Sequence, residues 1–321
     1  MPSWQMRLFS AATRLLVKRG ARKPVTDEVE GAKHVRRLFE PPEYFRPSLP
    51  EGVRIEQVNE PGFRGEWVQW FVEGEESQRT IYYIHGGGYV ACSPRTHRGL
   101  TTHLSRAASA KVFSLDYRLA PEHKFPAALE DAVNGYRWLL ESGEQPGNII
   151  VGGDSAGGGL AAAFLIAVRD LGLPLPAGAF LLSPWTDLAA TGRSLITNES
   201  ADPMLSGKMT GRLAKLYYGD ASPKDPLVSP LYGDLIGLPP MLIYAGDTEV
   251  LLDDAVRFAD RAKRHGVNVE LRIEKELPHV WPIFVAFGLP ESRRSISEIA
   301  AFVRRQTLLL EDKDVVKRNA A

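Results

Sequence analysis

Gly153-Asp154-Ser155-Ala156-Gly157 directly follows the apolar run Asn148 to Val151 and opens a Gly- and Ala-rich stretch, Gly158 to Asp170. A short apolar run bounded by glycines predicts a buried strand, and the periodic stretch after it predicts a helix, so Ser155 falls on the turn between them. A chain that leaves a strand and enters a helix so abruptly doubles back on itself. Only very small neighbours allow that, and Gly153 and Gly157 meet the need. The helix N-terminus behind Ser155 aims N–H groups and a positive dipole end at the place where negative charge would develop during attack by its hydroxyl. The same five residues arise by accident in Gly-rich sequences; the strand-turn-helix context is what gives them meaning.

Working outward, the two alternating runs Val53 to Val58 and Gly65 to Val72 predict paired antiparallel strands. Further strands are predicted at Thr80 to Ile84, Val112 to Leu115, Ala179 to Leu182, Met241 to Tyr244 and Val269 to Ile273. Helices are predicted between them at His97 to Ala108, Ala127 to Glu141, Leu252 to His265 and Arg293 to Gln306. Alternating β and α units imply an α/β protein with a mostly parallel sheet and helices on both faces. The stretch from Asp187 to Pro239 breaks the alternation with Pro203, Gly219, Pro223 and Pro226, is too long for a simple loop, and predicts one helix of its own, Lys208 to Tyr218. Together these give a core at 46–186 and 226–321. A helical cap, built from residues 1–45 and an insertion at 187–225, lies over the carboxyl edge of the sheet, where open α/β sheets place ligands.

A second motif, His85-Gly86-Gly87-Gly88, closes the strand Thr80 to Ile84. Three glycines let backbone N–H groups approach a substrate oxygen, and no Gly-Lys-Ser/Thr follows to make a phosphate loop. Gly86, Gly87 and Gly88, with Ala156 after the serine, are the candidate oxyanion donors; each such donor contributes about 3 to 4 kcal/mol to lowering a barrier. Serine needs a base, and the chain order serine, acid, histidine leaves His265 and His279. His265 ends a helix before Gly266, where an imidazole complements the last carbonyls. His279 follows the last predicted strand in Leu277-Pro278-His279-Val280-Trp281 and is the candidate base. Ala245-Gly246-Asp247-Thr248-Glu249 offers two candidate acids after Met241 to Tyr244, and the residues alone leave Asp247 and Glu249 both open, Asp247 being also a natural helix cap.

The balance of the chain excludes other classes. Lysine plus arginine and aspartate plus glutamate number 39 each among 321 residues, so the basic footprint of a nucleic-acid binder is missing. The lone Cys92 forms no internal disulfide and no zinc-ligand spacing surrounds it, which predicts a cytoplasmic protein without a metal. Trp4, Leu8, Ala12, Leu15 and Leu16 recur at helical spacing beside Arg7, Arg14, Lys18 and Arg19, too short and too charged for a membrane span or secretory signal. The plain expectation is a helix packed through that apolar stripe on its own domain, with a membrane-surface helix as the alternative.

These motifs, with Asp116-Tyr117-Arg118-Leu119-Ala120-Pro121-Glu122, Leu182-Ser183-Pro184-Trp185 and Pro226-Leu227-Val228-Ser229-Pro230, resemble the hormone-sensitive lipase family of bacterial esterases over residues 75–305. The resemblance implies the α/β-hydrolase fold and hydrolysis of short- to medium-chain acyl esters through a serine acyl-enzyme, with no cofactor. Family members carry Asp-Pro-Leu-x-Asp around the acid, and placing Asp253 on its last residue puts Glu249 on the acid, with Val250 departing from the proline. The implied triad is Ser155, Glu249 and His279. The resemblance also implies that His85 supports the oxyanion loop, that Asp116 and Arg118 brace it by an ion pair with Glu122 as a further partner, and that Tyr89 and Asp154 shape the substrate pocket. His97, His103 and His123 are expected to be ordinary helix or loop histidines. A lactone or N-acetyl amide suits the same machinery, and a non-catalytic ligand receptor would be expected to have lost a triad member. A small-molecule ester is the expected partner, and a homodimer is admitted beside a monomer.

Overall fold

The computed structural model describes residues 1–20, 28–39, 50–71 and 77–307. Its strands are β1 (Val53–Glu60), β2 (Phe63–Trp70), β3 (Arg79–Ile84), β4 (Ala110–Leu115), β5 (Ile149–Asp154), β6 (Gly178–Leu182), β7 (Met241–Gly246) and β8 (Val269–Glu274). They form one sheet in the order β1-β2-β4-β3-β5-β6-β7-β8, with β1, β2 and β4 paired antiparallel and every later neighbour parallel. Each expected strand is present, and the edges differ from the centre as burial demands. All six residues of β5 are buried, whereas β1 at one edge alternates toward solvent and β8 at the other carries Glu270 and Arg272.

The two faces of the sheet make two apolar cores, because successive strand residues point to opposite sides. Tyr82, Ile84, Phe113, Val151, Leu181 and Ile243 face α4 (Ala127–Glu141), α5 (Ser155–Asp170) and α8 (Leu252–Arg264). Ile81, Tyr83, Val112, Ile150, Phe180 and Tyr244 face α3 (Pro94–Ala108) and α9 (Pro290–Gln306). The loops that follow β3, β5, β7 and β8 therefore meet at one edge, and those four loops carry the HGGG motif, Ser155, Glu249 and His279.

Over that edge lie α1 (Trp4–Gly20), α2 (Glu28–Phe39), α6 (Ser194–Thr197) and α7 (Gly207–Tyr218). Residues 21–27 and 40–45 of the expected cap, and Val72 of the expected second strand, fall outside the described residues. Arg36 of α2 ties the N-terminal part down, donating to the carbonyls of Val90 (2.7 Å) and Ala120 (3.1 Å) and pairing with Glu122 at 2.6 Å. The orientation of α1 corrects an expectation: it packs through Met6 and Phe9, and turns Trp4, Leu8 and Leu15 outward. Periodicity gives a stripe but not the side on which the protein lies.

Candidate active site

Ser155 sits at φ 52°, in the left-handed region, at the point where β5 gives way to α5. The turn is as tight as the flanking glycines suggested. A Cβ on Gly157 would lie 2.2 Å from the Ile84 carbonyl oxygen and 2.3 Å from that of His85, and one on Gly153 would lie 2.5 Å from the Gly157 oxygen. Those contacts are all to backbone, so no side-chain movement relieves them.

Three side chains distant in sequence converge here. The Ser155 hydroxyl lies 2.9 Å from His279 Nε2, and His279 Nδ1 lies 2.6 Å from Glu249 Oε2. Nδ1–H donating to the carboxylate leaves Nε2 free to accept the serine proton, the tautomer a base requires. Burial alone would lower the His279 pKa; the neighbouring Glu249 carboxylate and its hydrogen bond outweigh that and hold it above the ordinary imidazole value. The other Glu249 oxygen accepts from Ser183 Oγ (2.7 Å) and the Gly246 amide, so the carboxylate is fixed at both ends. Asp247, the rival acid, turns elsewhere and accepts from the Glu276 amide at 2.6 Å.

Several supports escaped the sequence reading. Ser183 was visible only as part of a motif, yet its hydroxyl bridges the two halves of the site, donating to Glu249 and accepting the Val280 amide at 3.1 Å. From the insertion, Asn198 donates to the carbonyls of Asp247 (3.0 Å) and Glu249 (2.9 Å), and Asp202 accepts the Val250 amide at 2.9 Å. Asn198 and Asp202 thus hold the acid loop from outside as Ser183 holds it from within.

The oxyanion side also differs in detail from expectation. The Gly86 amide donates to Asp154 Oδ1 at 2.9 Å and is thereby removed from the donor set, while the amides of Gly87 and Gly88 have no acceptor among the described residues. Asp154 accepts as well from Tyr83 (2.6 Å) and meets His97 Nε2 at 3.3 Å. His97 is therefore no ordinary helix histidine. Burial would push the Asp154 carboxyl up and the His97 imidazole down, but their mutual attraction and hydrogen bonding reverse both, keeping Asp154 below and His97 above its usual value. His85 stacks on Tyr117 at 4.3 Å and its Nδ1 meets the Gly86 carbonyl at 2.8 Å; burial and nearby His97 lower its pKa to about 3, so it stands neutral.

The expected brace between Asp116 and Arg118 is replaced by two others. Asp116 pairs with Arg64 at 3.2 Å, and Arg118 pairs with Asp131 at 2.8 Å and Glu130 at 3.0 Å. Residues two apart share a side only in regular strand; beyond the end of β4 that rule lapses. Glu122 likewise goes to Arg36. Tyr89 is buried, stacked on Tyr217 at 3.7 Å, and supports the cleft wall from behind, leaving Trp185 to line it.

The cleft above Ser155, together with the open solvent at its mouth, takes in about 660 Å³, and Asp154, His97 and His279 lie at its base. Its walls are apolar: Val35 from α2, Met204 and Leu205 from the insertion, Met209 and Leu213 from α7, and Ile283 after the histidine. Among the described residues no cluster of histidine, cysteine, aspartate and glutamate could hold a metal ion. The arrangement provides a serine, a base with a fixed tautomer, and unengaged amides beside an apolar cleft, which suits attack on an uncharged acyl carbonyl.

Comparison with known proteins agrees with this geometry. A family model described as alpha/beta hydrolase fold matches residues 81–283. An acetyl-hydrolase of Streptomyces hygroscopicus is 46% identical over 240 residues, 75% of this chain and 80% of that protein. An esterase of Acinetobacter venetianus is 36% identical over 251 residues, 78% of this chain and 82% of that protein. The crystal structure of an esterase from the bacterial hormone-sensitive lipase family superposes with a TM-score of 0.84 at 41% identity, covering 93% of this chain and 98% of that one. Family model, sequence and structure agree that this chain belongs to the α/β-hydrolase family, in its bacterial hormone-sensitive lipase branch.

Proposed function

We propose that the protein hydrolyses carboxylic esters with short- to medium-chain acyl groups through an acyl-enzyme on Ser155. The single observation that carries this reading is the unbroken hydrogen-bonded line from Ser155 through His279 to Glu249 beside the amides of Gly87 and Gly88. His279 takes the serine proton as Oγ attacks the ester carbonyl, and returns it to the departing alcohol; a water then repeats the cycle and releases the acid. The amides of Gly87, Gly88 and Ala156 hold the oxyanion, and Glu249 stabilises the imidazolium. Residues 1–45 and 187–225 act as a cap whose side chains shape the acyl pocket. Apolar walls support an uncharged substrate, and the kinship to a protein named acetyl-hydrolase points to acetyl as one acceptable group. The charge balance and the lone buried Cys92 support a cytoplasmic protein that does not bind nucleic acid.

Rapid mixing with p-nitrophenyl acetate tests the chemistry. We expect a burst of p-nitrophenol approaching one equivalent per chain, and an acetyl adduct on Ser155 in the quenched protein. Turnover without any adduct on Ser155 would overturn the acyl-enzyme. The pH dependence follows from His279: protonated imidazole cannot accept the serine proton, so kcat/KM falls as pH drops through its pKa. Because Glu249 raises that pKa, the acid limb should have its midpoint above the unperturbed value of about 6.5. A midpoint at 5 or below contradicts the pairing.

A further inference from the structure

The apolar face of α1 points away from the protein. Met6 is fully buried, and Ser10 and Thr13 stand on the same inward side; Ser10 Oγ is buried there with no hydrogen-bond partner. Outward stand Trp4 at 72% exposure, Leu8 at 64% and Leu15 at 53%, with Ala11 and Ala12 exposed between them. At helical spacing these five fall within about 100° of arc. A helix serving only its own domain would turn that arc inward, as surface helices do, and would leave serine and threonine to water. No described residue covers the face.

The charge of the same helix is one-sided. Trp4–Gly20 contains Arg7, Arg14, Lys18 and Arg19 and no acidic residue, in a chain whose net charge is zero. Arg7 and Arg14 are exposed along one edge of the apolar arc. The segment is 17 residues long, and among the described residues no helix is long and apolar enough to cross a membrane. Tryptophan and leucine on one face beside arginine, in a helix too short to span, is the arrangement of a helix that lies in the plane of a lipid–water boundary.

Through its packed side the helix also adjoins the rim of the cleft. Phe9 contacts Phe284 at 4.5 Å and Phe287 at 5.8 Å; Phe287 is itself exposed, and the neighbouring Ile283 lines the cleft. Arg14 donates at 2.6 Å to the carbonyls of Ser200 and Ala201, next to Asp202, which holds the loop of Glu249. We propose that α1 docks the protein reversibly, through Trp4, Leu8 and Leu15, on an anionic phospholipid surface, bringing the cleft rim beside the bilayer.

Co-sedimentation of the full chain with phosphatidylglycerol vesicles, against phosphatidylcholine vesicles as the neutral control, tests this without reference to catalysis. We expect partitioning at least tenfold stronger onto phosphatidylglycerol, weakening as salt is raised through the screening range. The variant W4S/L8S/L15S should lose about tenfold or more of that binding, with its thermal unfolding midpoint unchanged or raised. Arg7→Gln should weaken binding to the anionic vesicles only. Equal or absent binding to both vesicle types by the unaltered chain overturns the proposal, whatever the variants do. So does a concentration-dependent dimer in sedimentation equilibrium that W4S/L8S/L15S converts to monomer, since a second copy would then cover the face.

Discussion

Replacing Ser155 by alanine should reduce ester turnover by about a millionfold, the loss seen when the nucleophile of a serine triad is removed and only the oxyanion site and binding remain. The size of the effect follows from the geometry. His279 Nε2 has the Ser155 hydroxyl at 2.9 Å as its partner at the base of the cleft, so alanine leaves the base without a proton to accept. The variant should fold, because residue 155 keeps its left-handed φ of 52° at the same cost for alanine as for serine, and Gly153 and Gly157 are untouched. Turnover of p-nitrophenyl acetate and intact mass after treatment with an organophosphate measure the two aspects separately. Both should vanish together, with an unchanged unfolding midpoint. Retention of more than about 1% of kcat, or an adduct still forming, would move the nucleophile elsewhere.

How much of this was legible beforehand depended on whether a feature is local in sequence. The central parallel strands were visible because they are continuous apolar runs, β5 being buried at every position, and β1 and β2 because they alternate. Ser155 was visible because glycine must flank a turn where a Cβ would meet backbone at 2.2 to 2.5 Å. Features set by pairing across the sheet were not. Ser183 reaches Glu249 across 66 positions, and Asp154 reaches His97 across 57, through the register of β3, β5, β6 and β7. The fate of the Gly86 amide followed from the same hidden contact, since a backbone donor shows no preference in the letters of a sequence. The outward face of α1 was hidden differently: the stripe was plain, and only the packing of Met6 and Phe9 decides which side is buried. The brace that the resemblance implied between Asp116 and Arg118 is not made, because beyond the end of β4 each side chain meets an opposite charge on another element, Arg64 of β2 and Asp131 of α4.

Glu249→Ala should lower kcat by about ten-thousandfold, whereas Asp247→Ala should leave it within about tenfold. Glu249 is buried, with one oxygen 2.6 Å from His279 Nδ1 and the other held by Ser183 and the Gly246 amide. Its removal abolishes both the preference for the Nδ1–H tautomer and the stabilisation of the imidazolium formed as Ser155 attacks. Glu249→Gln should lose nearly as much, because an amide fills the space without the charge. Asp247 instead accepts the Glu276 amide at 2.6 Å, so alanine there costs about 1 kcal/mol of stability through an unpaired donor and touches neither His279 nor Ser155. The pair of measurements, kcat and unfolding midpoint for each variant, separates the two roles. A large kcat loss from Asp247→Ala with Glu249→Ala nearly active would require the acid loop to rearrange in solution, since in the present geometry Ser183 and Asn198 fix Glu249 in place and leave the imidazole no second carboxylate within hydrogen-bonding distance among the described residues.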